Sequence, residues 1–131
     1  MTNPIPTRWI SEMEGQLADA DRRLVNAQRH LDAGAGGRAL EEVYPGVMGT
    51  AMVRVWLKDE PWHTRRSLQD LSRMVRDELP SGFATLFELK LDHRSFTGWR
   101  AEDARPLIDE ARAFVAAVRA EVERCAPKPG P

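Results

Sequence analysis

Apolar residues recur at alternating steps of four and three from Trp9 through Met13, Leu17, Ala20, Leu24 and Ala27 to Leu31. That spacing draws one stripe along a helix of about seven turns. Thr7 is the expected cap of this first helix. The run Asp32-Ala-Gly-Ala-Gly-Gly37 stops it, because glycine makes continuation costly. A second helix is predicted over 38–58. Leu40, Val43, Tyr44, Val47, Met48, Ala51, Met52, Val55 and Trp56 leave it little polar surface, the mark of a central, buried helix. Gly46 and Gly49 fit a close approach by a neighbour's backbone, and Pro45 should kink the helix or remove one ladder bond.

Asp59-Glu-Pro-Trp62 reads as a connector. A third helix is predicted from Thr64 or Arg65 to Leu79, with Leu68, Leu71, Val75 and Leu79 inward. On its outer face Arg66, Asp70, Arg73 and Asp77 alternate in sign, which favours pairing along the helix over an anion-binding stripe. Pro80 ends it, and Ser81 is the expected cap of a fourth helix that runs from Gly82 to about Phe96 and is closed by Gly98. The fifth runs from about Glu102 to Cys125. Ile108, Ala111, Val115, Val118, Val122 and Cys125 line its inner face, and Pro106 falls either late in the first turn or at the true start. No strand pattern and no internal repeat is seen. The expected fold is an all-α, five-helix antiparallel bundle, HEPN-like in the sense developed below. It would form a single helical domain over 1–125, followed by a Pro- and Gly-rich tail over 126–131.

With 131 residues, 42% hydrophobic and 30% charged, the chain suits one globular domain with a core of its own. The net charge of −1 gives no bulk electrostatic case for nucleic acid and leaves only a local patch. All of the 19 basic residues except Lys58, Lys90 and Lys128 are Arg, which reads as coding bias rather than phosphate recognition. The longest apolar stretch, Leu40 to Leu57, contains Glu41, Glu42 and Arg54, and the first residues show no signal-peptide pattern. No membrane association and a cytoplasmic address are expected. Cys125, the only cysteine, excludes an internal disulfide and a Cys-rich zinc site. His30, His63 and His93 lie on three separate segments, which argues against a His-only metal site. No motif points to a metal or any other cofactor.

The most informative stretch is Leu89-Lys-Leu-Asp-His-Arg-Ser-Phe-Thr-Gly-Trp99. On a helix, Leu86, Leu89, His93 and Phe96 share one face, and Arg94 falls at its border with Phe87 and Leu91. A guanidinium there needs a carboxylate, a carbonyl or a phosphate to offset desolvation. A structural tie to Asp92, Glu102 or Asp103 is the plain reading.

Residues 36–118 resemble the HEPN superfamily of nucleotide-linked helical domains, in particular a small prokaryotic branch encoded beside minimal nucleotidyltransferases. The resemblance rests on four pieces in order. They are the second-helix run from Ala39 to Leu57, the linker Glu60-Pro-Trp-His63, Arg94 near the end of helix four, and the run Glu102-Asp-Ala-Arg-Pro-Leu-Ile-Asp-Glu-Ala-Arg-Ala-Phe-Val115. Active members of the family resemble one another in an Arg and a downstream His with four to six residues between them. The pair performs metal-free RNA cleavage, a base taking the 2′-hydroxyl proton while the Arg stabilises phosphorane charge. Here no His follows Arg94, and Trp99 stands near the place of a downstream Tyr. Losing the acid/base group costs on the order of 10²–10⁴ in rate.

The resemblance therefore implies a non-catalytic binding module in an RNA- or nucleotide-linked toxin–antitoxin or defence system. It would act as a homodimer or with a nucleotidyltransferase-type or defence-system partner protein. Arg94 and Arg100 are the candidate RNA-binding residues, and Phe96, Trp99 and Trp62 the candidate interface. Two alternatives stay open: a metal-independent ribonuclease using Arg94 with His93 or His63, and a purely structural adaptor. His93 also fits a core or interface histidine, and His63 an interhelix hydrogen bond. Arg23 and His30 match the catalytic spacing formally but lie in helix one, where the match reads as chance.

Overall fold

The computed structural model describes residues 5–59, 67–91, 96 and 98–125. They form α1 (Thr7–Asp32), α2 (Gly36–Asp59), α3 (Leu68–Glu78), α4 (Ser81–Leu91) and α5 (Ala101–Cys125), with no strand among the described residues. The expected all-α fold of five packed helices holds. The expected tail over 126–131 lies outside the described residues.

α1 and α2 pack antiparallel. Asn26 bonds Glu42 (3.1 Å) near one end, and the Trp9 and Trp56 rings meet edge to face at 5.1 Å near the other. Between them Gly46 does what its missing side chain permits, since a Cβ there would stand 3.1 Å from the Ala20 Cα. Gly49 lies against the Gln16 side chain in the same seam. α5 is also antiparallel to α1, with Arg119 paired to Asp21 and Arg112 to Gln28. α2 and α5 therefore run parallel, and both bury against α1.

α2 is the central helix. Ala39, Leu40, Val43, Val47, Ala51, Val53 and Val55 are all buried, and so is Thr50, whose hydroxyl donates to the Gly46 carbonyl (2.8 Å). Pro45 sits on its exposed side, and the helix runs through it. In α1 the buried line is the predicted one except at its start. Ile10 enters the core and Trp9 is only half-buried, because Trp9 turns to meet Trp56. α1 ends at a left-handed Gly34 (φ 77°), with Gly34 N–H bonded to Leu31 C=O and Ala35 N–H to His30 C=O, a Schellman closure.

Several helix boundaries differ from the sequence reading. Pro6, not Thr7, occupies the α1 N-cap, and its carbonyl takes the Trp9 and Ile10 N–H groups. α3 starts at Leu68, because Ser67 is extended and its hydroxyl accepts from Asp70 N–H (3.1 Å); the expected start at Thr64 or Arg65 is replaced by this cap. Ser81 is already helical, and Pro80 supplies the carbonyl that receives Ala84 N–H. The described α4 ends at Leu91 and Phe96 is not helical, so helix four does not extend to Phe96 as expected. α5 begins five residues before Pro106, with the Arg100 carbonyl capping Asp103 and Ala104 N–H. Ile108, Ala111, Val115, Val118 and Val122 are buried as predicted, whereas Cys125 is exposed at the helix end.

Candidate functional site

The segment after α4 is where the sequence placed its candidate chemistry. Arg94, His93, His63 and Trp62 lie outside the described residues, so the site is built here from Phe96, Trp99 and Arg100 and what they meet. Phe96 is a core residue, 1% exposed, with its ring 5.9 Å from that of Tyr44 in α2. A ring buried this completely has no surface left to present to a partner in this conformation. Burial raises the Tyr44 phenol above its ordinary range, which keeps it neutral and unsuited to act as a base near pH 7.

Phe96 anchors a tight turn. The Trp99 N–H bonds back to the Phe96 carbonyl (3.2 Å), and Gly98 takes the left-handed conformation (φ 91°) that the turn requires. The turn delivers Trp99, half-buried, onto the N-terminus of α2. There Gly36 is required by space: a Cβ on it would lie 2.7 Å from the Trp99 carbonyl oxygen and closer still to the Arg100 backbone. Arg100 then projects outward, its side chain 76% exposed and, among the described residues, paired with the exposed Glu102 (3.0 Å).

A groove of about 320 Å³ opens here, lined by Gly36, Gly37, Arg38, Glu41, Gly98 and Trp99 among others. Arg38 is exposed and has no ion-pair partner among the described residues. An aromatic residue and an exposed guanidinium in one groove can stack a base and neutralise a phosphate, and Glu41 in the lining subtracts from that charge. Trp99 lines this groove, and Arg100 follows it in the chain outside the lining. Arg38 was missed, although Gly-Gly-Arg at the start of a predicted helix was a readable signal.

Two other sets of charged side chains are tied into the fold. Arg23 is held by Asp19 (2.8 Å) and by the Glu42 carbonyl (3.1 Å), which agrees with reading its spacing to His30 as chance. Arg54, from the middle of the apolar α2, forks onto Glu121 of α5 (2.6 and 3.3 Å) and lies 5.0 Å over the Phe114 ring. Glu78 of α3 stands 4.0 Å from the same Arg54 and takes Lys58 at 2.8 Å. This half-buried network ties α2, α3 and α5. Among the described residues no group of three His, Cys, Asp or Glu side chains is placed to hold a metal ion, and no helix is long and apolar enough to cross a membrane. No family model, no curated protein and no solved structure matches this chain.

Proposed function

We propose that the chain is a HEPN-like helical binding module, non-catalytic, acting in an RNA- or nucleotide-linked toxin–antitoxin or defence system through dimerisation or a partner protein of the nucleotidyltransferase or defence type. The observation that best supports the reading is the groove at the α2 N-terminus, lined by Trp99 and the exposed Arg38, with Arg100 exposed next to Trp99 in the chain. That pairing of a stacking ring with cations suits single-stranded RNA or a nucleotide better than a duplex. The sequence departure at the catalytic His supports the non-catalytic part.

Fluorescence anisotropy with short single-stranded RNA across a salt series tests the reading. Affinity should fall with salt, and Arg94→Ala and Arg100→Ala should each weaken binding by about tenfold or more, the worth of a charge-assisted hydrogen bond to phosphate. Total RNA incubated in EDTA should stay intact. Metal-free cleavage that disappears in Arg94→Ala would replace this reading with the ribonuclease one. Absence of RNA and nucleotide binding would leave the adaptor.

A further inference from the structure

Two clefts open at opposite ends of the α1–α5 seam, and their charges are opposite. The first, about 230 Å³, sets the carboxylates of Glu14, Asp21 and Glu123 against the single guanidinium of Arg119. The second, about 330 Å³, is lined by Arg29 and Arg112 with Gln28 and no carboxylate; Arg112 also pairs with Asp109 (3.1 Å) outside the lining, so Arg29 supplies its unpaired charge. Val25 borders the second cleft and is 55% exposed, the only large hydrophobic side chain so exposed among the described residues. Ala18 on α1 and Ala116 on α5 are exposed beside the seam and too small to hold a neighbour off. Glu14, Glu123 and Arg29 have no side-chain ion pair among the described residues.

We propose that this α1–α5 face is a self-complementary docking surface for a second copy of the chain. A two-fold axis perpendicular to the seam sets the acidic cleft of one copy on the basic cleft of the other, twice per dimer, and brings the Val25 side chains to the middle. An isologous contact demands this of a surface: each end must be the complement of the other. From Glu14 to Arg29 the seam is about 22 Å long at 1.5 Å per residue, and two helices side by side are about 20 Å wide. The contact is then roughly 900 Å² in total, at the low end for specific interfaces, which sets the expectation of a weak, salt-sensitive dimer. The proposal rests on the dimerisation part of the reading above, moves the interface away from Phe96, Trp99 and Trp62, and is independent of RNA binding.

Sedimentation velocity of the full chain over a concentration series is the test, run with three altered proteins. Glu14→Arg with Glu123→Arg makes both clefts basic, and Arg29→Glu with Arg112→Glu makes both acidic. Each should raise the dimer dissociation constant at least tenfold, and an equimolar mixture of the two should sediment as a heterodimer. Val25→Asp, at an exposed site where folding is not at stake, should also abolish the dimer. A wild-type monomer at hundreds of micromolar would overturn the proposal. So would a dimer indifferent to all three changes, or a mixture that associates no better than its components. The RNA anisotropy measurement on the same samples keeps the two readings apart, since a monomer that binds RNA removes this face and leaves the RNA-linked site standing.

Discussion

Between α1, α2 and α5 the contact is a continuous apolar seam, running from Ile10 and Met13 on α1 through Leu40, Val47 and Ala51 on α2 to Ile108, Val118 and Val122 on α5. α3 and α4 add only Val75, Phe83 and Leu86 to the buried apolar set of the described residues. Met74 and Leu79 pack on the core part-buried. The other described attachments are polar: Glu78 takes Lys58, Arg76 pairs with Glu88 (2.7 Å), and the Glu110 carboxylate accepts the Gly82 N–H at the start of α4 (2.9 Å). Among the described side chains, the three long helices thus hold the fold chiefly by burial, and polar tethers carry a larger share of the α3–α4 attachment. Elements with few buried apolar contacts open at lower free energy than the core, and binding functions are commonly built on such elements.

The sharpest way to break that comparison is one substitution made on both sides. Leu40 and Leu86 are each fully buried, at 0% and 1% exposed. Leu→Ala costs about 2–5 kcal/mol, the spread being set by how far the surroundings relax. Leu40→Ala, on the central helix, is expected near the upper end, and Leu86→Ala near the lower end. Urea unfolding measures both, and equal losses would mean that α4 is as firmly packed as α2. Arg54→Ala comes next at about 1.5–3 kcal/mol, because it strands the half-buried Glu121 and leaves Glu78 only Lys58. Native-state hydrogen exchange should show α3 amides losing protection in this variant beyond the global change. Glu110→Ala removes the acceptor for Gly82 N–H and should cost about 0.5–2 kcal/mol. Its signature is loss of protection confined to the first turn of α4, and an equal loss across α1, α2 and α5 would contradict tethering.

The same divide marks what could be read from sequence. α1, α2 and α5 were legible because each carries a long apolar period that only a helix satisfies, and five turns or more average out local exceptions such as Pro45 and Pro106. The short helices gave way at their ends. At α3 the capping hydroxyl of Ser67 fixes the start and outweighs the apolar pattern that suggested Thr64 or Arg65. At α4 an apolar period through Phe96 read as helix, yet Phe96 reaches the core from a turn instead, where its ring meets Tyr44. An apolar residue at helical spacing states that it is buried, not by which backbone it arrives. Arg54 was illegible for a related reason. Its partners Glu78 and Glu121 lie on other helices, and no pattern within α2 names them. Phe96 and Trp99 read alike as interface aromatics in the sequence, yet Phe96 is buried and Trp99 half-buried, because aromatic character alone does not tell a core ring from a surface one.

The smallest effect sharpens the comparison from the other side. Asp19 on α1 accepts hydrogen bonds from Arg23 and Arg22, and these hold its carboxyl below the ordinary value of 3.8. A carboxyl whose folded pKa is depressed stabilises the fold above the unfolded pKa and loses that contribution as pH falls through the folded value. The increment is therefore present at neutral pH and disappears below about pH 4. Asp19 is more than one-third exposed, so solvent screens the pair and the worth is that of a surface ion pair, about 0–1 kcal/mol. Asp19→Asn should lower the urea midpoint slightly at pH 6, and the difference from wild type should shrink as the pH is taken down below about 4. High salt should shrink the pH 6 difference, while the Leu40→Ala deficit stays. If instead Asp19→Asn cost as much as Leu40→Ala, α1 would be held by its charges rather than by the seam from Ile10 to Leu31, and the contrast with the tethered helices would dissolve.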